Sequence, residues 1–386
     1  MNEITNTVYI VGGDHHNGLG LARILGIHHI KVISLVITTN KSSFLSKSKF
    51  VDECLLFESE KKAYDYLSKL QLMEKKAFII PYSDTAAFEL DQRLDEFKYK
   101  YYVPSINCKQ GEIAKLMDKQ VQYDFAVKSN IKVALTETIN IQSEDYSSID
   151  KMRYPCIVKP VISAEGHKRD ISVCQTKDAL IDKISELKKL KYKRVLVQEY
   201  LKVDYEIDVF GAILHQEPFI CQIPTHTIRS WLPEGGTNSF SYIITNEKII
   251  KACKELITKV MDIGFYGLYD IELFVVDGKI YLNEINLRNS GDVYMGLNQS
   301  YYYPYAWICD CLGLKADILP YPTRKEYTMT ECADIRNVLV HNVSLIEWIK
   351  DFKKSSDFAL KFKGDMKPAY NRYLYYLKQF ITGKRL

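Results

Sequence analysis

Residues 269–291 read YDIELFVVDGKIYLNEINLRNSG, and this stretch decides how the chain folds. Two apolar segments, 270–276 and 279–286, flank Asp277–Gly278, a two-residue turn of the kind that joins antiparallel strands. Side chains two apart on a strand share a face. Glu284 and Asn286 therefore point the same way, and Glu272 joins them from the neighbouring strand at the same end of the hairpin. Two carboxylates and an amide oxygen form a hard-oxygen set suited to Mg²⁺, which takes few protein ligands and completes its shell with phosphate oxygens and water. Arg288 continues the alternation and suits stabilisation of charge on a transferring phosphoryl group. An ordinary solvated hairpin is the competing reading. Leu273, Phe274, Ile280, Leu282 and Ile285 argue against it, because they imply a buried sheet in which unpaired carboxylates are costly.

Three upstream segments add to this. In residues 154–160, YPCIVKP, an apolar strand ends in Lys159, a point charge placed to meet phosphate oxygens, and a polar loop, 163–169, follows. A lysine at a strand edge is equally at home in solvent. In residues 195–208, VLVQEYLKVDYEID, Glu199 closes one apolar run while Glu206 and Asp208 open the next. This reads either as a hinge whose backbone meets a base and whose carboxylate meets ribose hydroxyls, or as a plain surface turn. Residues 116–119, LMDK, head a helix-like stretch.

Taken in this order, the four segments resemble the ATP-grasp superfamily over roughly residues 109–320, with NEINLR (283–288) and VKP (158–160) the most specific parts. The resemblance implies α+β subdomains that hold ATP. It implies that Lys119 and Lys159 contact phosphates or base, that Glu199 and the backbone around Leu201 read adenine, and that Glu206 holds the ribose. It implies one or two Mg²⁺ on Glu272, Glu284 and Asn286, with Mn²⁺ as a substitute. Arg288 and Lys159 would be the catalytic cations, Arg288 acting on an acyl phosphate and a tetrahedral intermediate. The implied reaction activates a small-molecule carboxylate with ATP and passes it to an amine; amino acids and cell-wall or surface-polysaccharide components fit as substrates. A carboxylase or carbamoyl-phosphate-type enzyme using bicarbonate, and a non-catalytic ATP-binding protein, are the alternatives. One departure stands out: residues 161–169, VISAEGHKR, contain only Gly166 where that family's phosphate-covering loop is glycine-rich. The loop is then either stiffer, or Lys168 and Arg169 replace backbone amides as phosphate contacts.

The first 108 residues alternate strand and helix, with strands at 8–11, 31–38 and 77–81 and helices at 18–25 and 86–97. That rhythm predicts a doubly wound α/β domain with ligand loops at the strand ends. Its segments GGDHHNGLGLARILG (12–26) and PYSD (81–84) are similar to the Rossmann-like pre-ATP-grasp domain of a subgroup containing D-aspartate ligases and carbamoyl-phosphate-synthase-like proteins. The glycines allow close backbone approach at a strand-to-helix turn. A dinucleotide fingerprint is not in register there, so the loop is expected to line a carboxylate or amine pocket, with His15 and Asp84 among its residues. His15 serves either proton transfer or a local cap. Residues 229–240, RSWLPEGGTNSF, read as a loop between strands. In it Arg229 would grip a substrate carboxylate in bidentate fashion and Trp231 would form a lid, unless it is simply a long surface loop. The expected domains are 1–108, a lid subdomain at 109–192, a central subdomain with the Mg-ATP site at 193–320, and a basic, Tyr-rich extension at 321–386.

The bulk properties exclude other classes. The 386 residues are 47% hydrophobic and 26% charged, an ordinary globular composition. A net charge of +4 is too small to imply nucleic acid. Nine cysteines, an odd number scattered in apolar runs, read as reduced buried thiols of a cytoplasmic protein, and Cys309–x–Cys311 has no second pair for zinc. No signal-peptide pattern precedes residue 7, and no apolar run reaches the roughly 20 residues that span a bilayer. Residues 361–386 carry seven Lys and Arg against Asp365 alone, interleaved with tyrosines. They read as a peripheral contact for an anionic membrane or lipid-linked substrate, or as a helix packing its aromatics on the body. A homodimer is the common case among enzymes of this kind.

Overall fold

Near-continuous Val, Ile, Leu and Phe runs make the early strands, because a parallel strand covered on both faces needs apolar residues throughout. The computed structural model of the protein describes residues 4–71, 75–142, 146–161, 170–232 and 236–381. The chain divides into two compact units. The first takes residues up to Gly111, Ile207–Asp270 and everything from Leu287; the second takes Glu112–Glu206 and Ile271–Asn286.

The first unit opens with β1 (Val8–Gly13), α1 (His16–Ile27), β2 (Val32–Ile37), β3 (Glu53–Phe57), α2 (Glu60–Lys69), β4 (Ala77–Pro81), α3 (Asp84–Gln92), α4 (Leu94–Phe97), β5 (Tyr101–Tyr102) and β6 (Ser105–Ile106). Five of these strands form a parallel sheet in the order β3-β2-β1-β4-β5, the expected doubly wound arrangement. The glycines after β1 serve packing. A Cβ on Gly12 would lie 2.5 Å from the Tyr82 ring, and one on Gly18 2.7 Å from Leu45. The helix expected over 86–97 is two helices that break at Arg93, whose guanidinium is tied to Asp65 and Glu96.

The second unit follows with α5 (Glu112–Leu116), α6 (Lys119–Lys128), β7 (Thr136–Asn140), β8 (Cys156–Pro160), β9 (Ser172–Cys174), α7 (Lys177–Lys189) and β10 (Arg194–Glu199). Its antiparallel sheet runs β7-β10-β8-β9. The helix α7 starts on a Thr176 cap with Asp178 in its first turn and ends in Lys188 and Lys189, matching the helix dipole. Leu180, Ile184 and Leu187 recur at helical spacing and bury against Ile139, Val158, Val195 and Val197.

The remaining elements are β11 (Tyr205–Ile213), β12 (Ile220–Trp231), β13 (Thr237–Ile243), α8 (Glu247–Asp262), β14 (Phe265–Val276), β15 (Lys279–Asn286), α9 (Tyr303–Cys311), β16 (Tyr327–Met329), α10 (Glu331–Leu339), α11 (Leu345–Lys354), β17 (Ser355–Phe358) and α12 (Lys367–Ile381). In the first unit β14, β11, β12, β13, β16 and β17 lie side by side in that order. The end of β14 and all of β15 form the hairpin of the second unit. The segment 229–240 is largely strand rather than loop. Arg229 pairs with Phe240 and Trp231 with Thr237, so the β12–β13 ladder continues through these residues. The first unit's main core gathers Val8, Ile10, Leu21, Phe210, Trp307 and Ala369.

The C-terminal extension docks on the first unit. Arg23 on α1, fully buried, reaches Asp365 at 3.0 Å and donates to the carbonyls of Leu360 and Asp365. On α12, Ala369 is buried and the Tyr373 hydroxyl donates to Glu331 at 2.9 Å, while Tyr370, Leu374, Tyr375 and Leu377 are exposed. One side of the basic, Tyr-rich helix therefore packs on the body and another is presented. All nine cysteines are free thiols. Among the described residues no helix is long and apolar enough to cross a membrane.

Candidate active site

In the second unit, β8 carries Lys159 at its inner end and α6 begins at Lys119 behind an Asp118 cap. The amide of Gln122, one turn along α6, exchanges two hydrogen bonds with the backbone of Ile285, 2.8 and 2.9 Å, and so fixes β15 against the helix. That clamp sets Lys119 3.4 Å from Glu284. The Lys159 side chain is buried and donates to Gln198 at 2.9 Å; Gln198 in turn donates to Thr136 at 2.9 Å. Burial, and then the Lys119 charge, push the Lys159 ammonium down to about 8, while Glu284 and Glu272 pull the other way. Glu272 accepts from Asn283 across the hairpin at 2.9 Å. A small pocket among these groups is lined by Lys119, Gln122, Thr136, Lys159, Gln198 and Asn283.

Among the described residues no three His, Cys, Asp or Glu side chains gather as a metal cage. The hairpin supplies two carboxylates, with buried Asn286 at the end of β15. A donor set this small fits Mg²⁺, which is bound by one or two carboxylates together with substrate phosphates. It does not fit a metal held by protein alone.

Glu199 ends β10 with Arg153 3.8 Å from its carboxylate. Leu201 lies in the segment that joins β10 to β11, and Glu206, the second residue of β11, has its carboxyl pKa raised by burial. Lys168, with the rest of 162–169, falls outside the described residues.

The first unit holds a separate charged cluster. Arg288 donates through Nε to Asp84 at 2.8 Å and through Nη1 to Asp270. Burial alone would lower its pKa, yet the two carboxylates raise it. Asp292 is pushed up to about 7 by burial and by Asp270, with Asn238 donating to it at 3.1 Å as a partial offset. His15 caps α1 and stacks on His16. Burial, and then His15, hold the His16 imidazole well below its ordinary range, so it is neutral. From α12, Arg372 lies 3.6 Å from Asp14 in the same turn.

Arg229 is not open to a substrate carboxylate. Its fork donates to Asp334 at 3.1 and 2.8 Å and to Asp351 at 2.7 Å, and it lies 4.5 Å from the centre of the Phe240 ring. Sequence reasoning also passed over Gln122, Gln198, Asp270, Asn238 and Asp292. Asp270 carries a weak local signal, since it sits within residues 269–291, and Asp292 directly follows that stretch. The two glutamines carry none.

Residues 124–300 match the family model of the ATP-grasp domain. The formate-dependent phosphoribosylglycinamide formyltransferase of Bacillus velezensis is 27% identical over 241 residues, 58% of this chain and 58% of that protein. The enzyme of the same name from Methanocaldococcus jannaschii is 25% identical over 239 residues, 59% and 57% of the two chains. The chain thus spans less than two thirds of the length of these curated relatives. Among solved structures, N5-carboxyaminoimidazole synthetase from Staphylococcus aureus has a TM-score of 0.65 at 15% identity, covering 88% of this chain and 87% of that one. An L-amino acid ligase from Bacillus licheniformis has a TM-score of 0.62 at 13% identity, covering 85% and 80%. At such identities the likeness is one of fold. The domain match takes in Lys159 and the NEINLR segment, so the chain carries an ATP-grasp domain over residues 124–300.

Proposed function

We propose that this protein is an ATP-dependent carboxylate–amine ligase that forms an amide through an acyl phosphate. The observation that carries this reading is the second unit's charge set: a buried lysine, a second lysine beside a glutamate, and two carboxylates that both act on the first lysine. Such a set favours a polyanion bearing a divalent cation. Lys159, Lys119 and Lys168 serve the ATP phosphates, Glu199 and the backbone at Leu201 the adenine, and Glu206 the ribose. Glu272, Glu284 and Asn286 hold Mg²⁺, which supplies charge neutralisation on the phosphates when bound.

The substrate carboxylate attacks the γ-phosphorus and ADP departs. The amine then attacks the acyl carbon, loses a proton, and phosphate leaves. Lys159 neutralises charge in the first step and Arg288 the oxyanion in the second, work that is mainly positioning and electrostatics. Asp292, with its carboxyl raised to about 7, is suited to hold or take a proton near neutral pH. The name of the formate-dependent relatives agrees with this chemistry, formate being a carboxylate.

The test is Mg-dependent ADP release by the purified protein against pools of carboxylates crossed with pools of amines, with and without bicarbonate. Release that requires one carboxylate pool and one amine pool is expected. Glu284→Gln should lower it about a hundred- to a thousandfold, the scale of losing a main electrostatic contact in such a site, with the circular dichroism unchanged. Release that needs bicarbonate alone, or a folded Glu284→Gln protein at near-normal rate, would sink the proposal.

A further inference from the structure

The first unit contains a second cavity, of about 460 Å³, on a different part of its surface chemistry. Its walls are apolar: Ile335 and Leu339 from α10, Trp348 and Phe352 from α11, Tyr376 and Leu377 from α12. Leu339 and Leu377, 44% and 54% exposed, stand where an ordinary surface would carry polar residues. This volume lies within the range of small-ligand sites.

Beside Glu331, Cys332 and Tyr373, the lining holds two polar groups with unmet donors, Arg336 and Trp348. Among the described residues, Nε of Arg336 and Nε1 of Trp348 are shielded from solvent and have no acceptor. Arg336 makes no ion pair among the described residues. Its guanidinium is held over aromatic rings instead, 5.0 Å from Tyr376 and 5.7 Å from Trp231. The nearby carboxylate of Glu331 does not serve it, because it already accepts from the amides of Leu360 and Lys361 and from the Tyr373 hydroxyl. The Cys332 thiol, pushed up to about 12 by burial, is no nucleophile at neutral pH. The lining is therefore built for binding rather than chemistry: an apolar trough with one uncompensated cation and unmet donors.

We propose that this cavity binds a single-chain amphiphile, an alkyl or aryl body in the trough and an anionic head at Arg336. A medium-chain carboxylate is the simplest member of that class. Both a free amphiphile and one acyl chain of an anionic membrane lipid share the chemistry, and the structure favours the free molecule because the apolar groups line a cavity of finite volume.

Dodecanoate, titrated into the full chain below its micelle concentration and followed by calorimetry and tryptophan fluorescence, tests this. One molecule should bind per chain, and dodecanol, the same chain without the charge, should bind at least tenfold more weakly. Arg336→Gln should bring dodecanoate to the level of dodecanol, and Leu377→Trp, which fills the trough from an exposed position, should weaken both at least fivefold. Mg-ATP affinity and circular dichroism should stay unchanged in both variants. Equal affinity for dodecanoate and dodecanol in the wild-type protein overturns the proposal without recourse to any variant. So does binding to anionic-lipid vesicles with none to dodecanoate, which would make the face a membrane contact. A concentration-dependent dimer broken by Leu377→Trp, again with no dodecanoate bound, would assign the trough to a second copy of the chain.

Discussion

Lys159 and Arg288 are both cations brought into buried surroundings at the ends of strands, and the protein treats them in opposite ways. Among the described residues Lys159 donates to a neutral partner, the Gln198 amide, with a second lysine near it, and Glu284 and Glu272 offset burial only in part; its pKa falls to about 8. Arg288 is gripped by two aspartates, and its pKa rises in spite of burial. A buried cation without full compensation gains from an incoming anion, whereas one already neutralised gains only if a carboxylate gives way. On the proposed reading, Lys159 is thus poised for phosphate before any ligand arrives. Arg288 is held in place first and must share its fork with whatever it stabilises later.

The comparison breaks most visibly at Arg288. Replacing it with Met leaves Asp270, only 8% exposed, without its cation. The protein should lose about 3 kcal/mol of stability in urea unfolding, the cost of orphaning a buried charge. A loss under about 1 kcal/mol would mean that Asp270 simply takes up a proton. Arg229→Met should cost a similar amount, because Asp334 is fully buried. Unlike Arg288→Met, it should leave ADP release intact, which separates the structural fork from the one assigned to chemistry.

Asp292 sharpens the same contrast on a smaller scale. Its folded pKa, about 7, lies above the ordinary carboxyl value. The folded state therefore holds the proton more tightly than the unfolded chain. The stability this contributes is fully present below the unfolded pKa and is lost as pH rises through about 7. Between about pH 5 and pH 8 the wild-type protein should lose about 2 kcal/mol more than Asp292→Asn, as each pKa unit is worth about 1.4 kcal/mol. Parallel curves for the two proteins would show that Asp292 is already ionised at pH 5.

What the sequence discloses follows locality. The hairpin is legible because Asp277–Gly278 and a period of two mark it, and α8 because Asn246 caps a strongly periodic stretch. The early parallel strands are legible from their unbroken apolar runs. The edge strand β3, half exposed and short, has no such run. Arg229 reads as a free fork because its partners Asp334 and Asp351 lie 105 and 122 residues away. Gln122 escapes notice for the same reason, its partner Ile285 being 163 residues distant. Lys119, Lys159, Glu272 and Glu284 can be picked out as candidates by type and position, and the second unit brings them together. Whether a charge is neutralised by the protein or left for a ligand depends on non-local packing, which no local pattern records.

Lys159 offers the most delicate measurement. With a folded pKa near 8 against an ordinary value of 10.5, the folded protein binds this proton less tightly than the unfolded chain does. The resulting penalty is complete below pH 8 and is relieved as pH climbs from there toward the unfolded value. Lys159→Met removes a buried charge and keeps the aliphatic stem. It should therefore not lower stability at neutral pH, the reverse of Arg288→Met. Its cost should appear in Mg-ATP affinity, about tenfold for one charge-assisted phosphate contact. In the wild-type protein, affinity should be level below about pH 8 and several-fold weaker by about pH 9.5, since only the protonated lysine meets phosphate favourably. Lys159→Arg, which stays charged throughout that range, should flatten the profile. If wild-type affinity does not change across the window while Lys159→Met still loses its tenfold, the lysine is already fully compensated, and the difference from Arg288 lies in geometry rather than in charge.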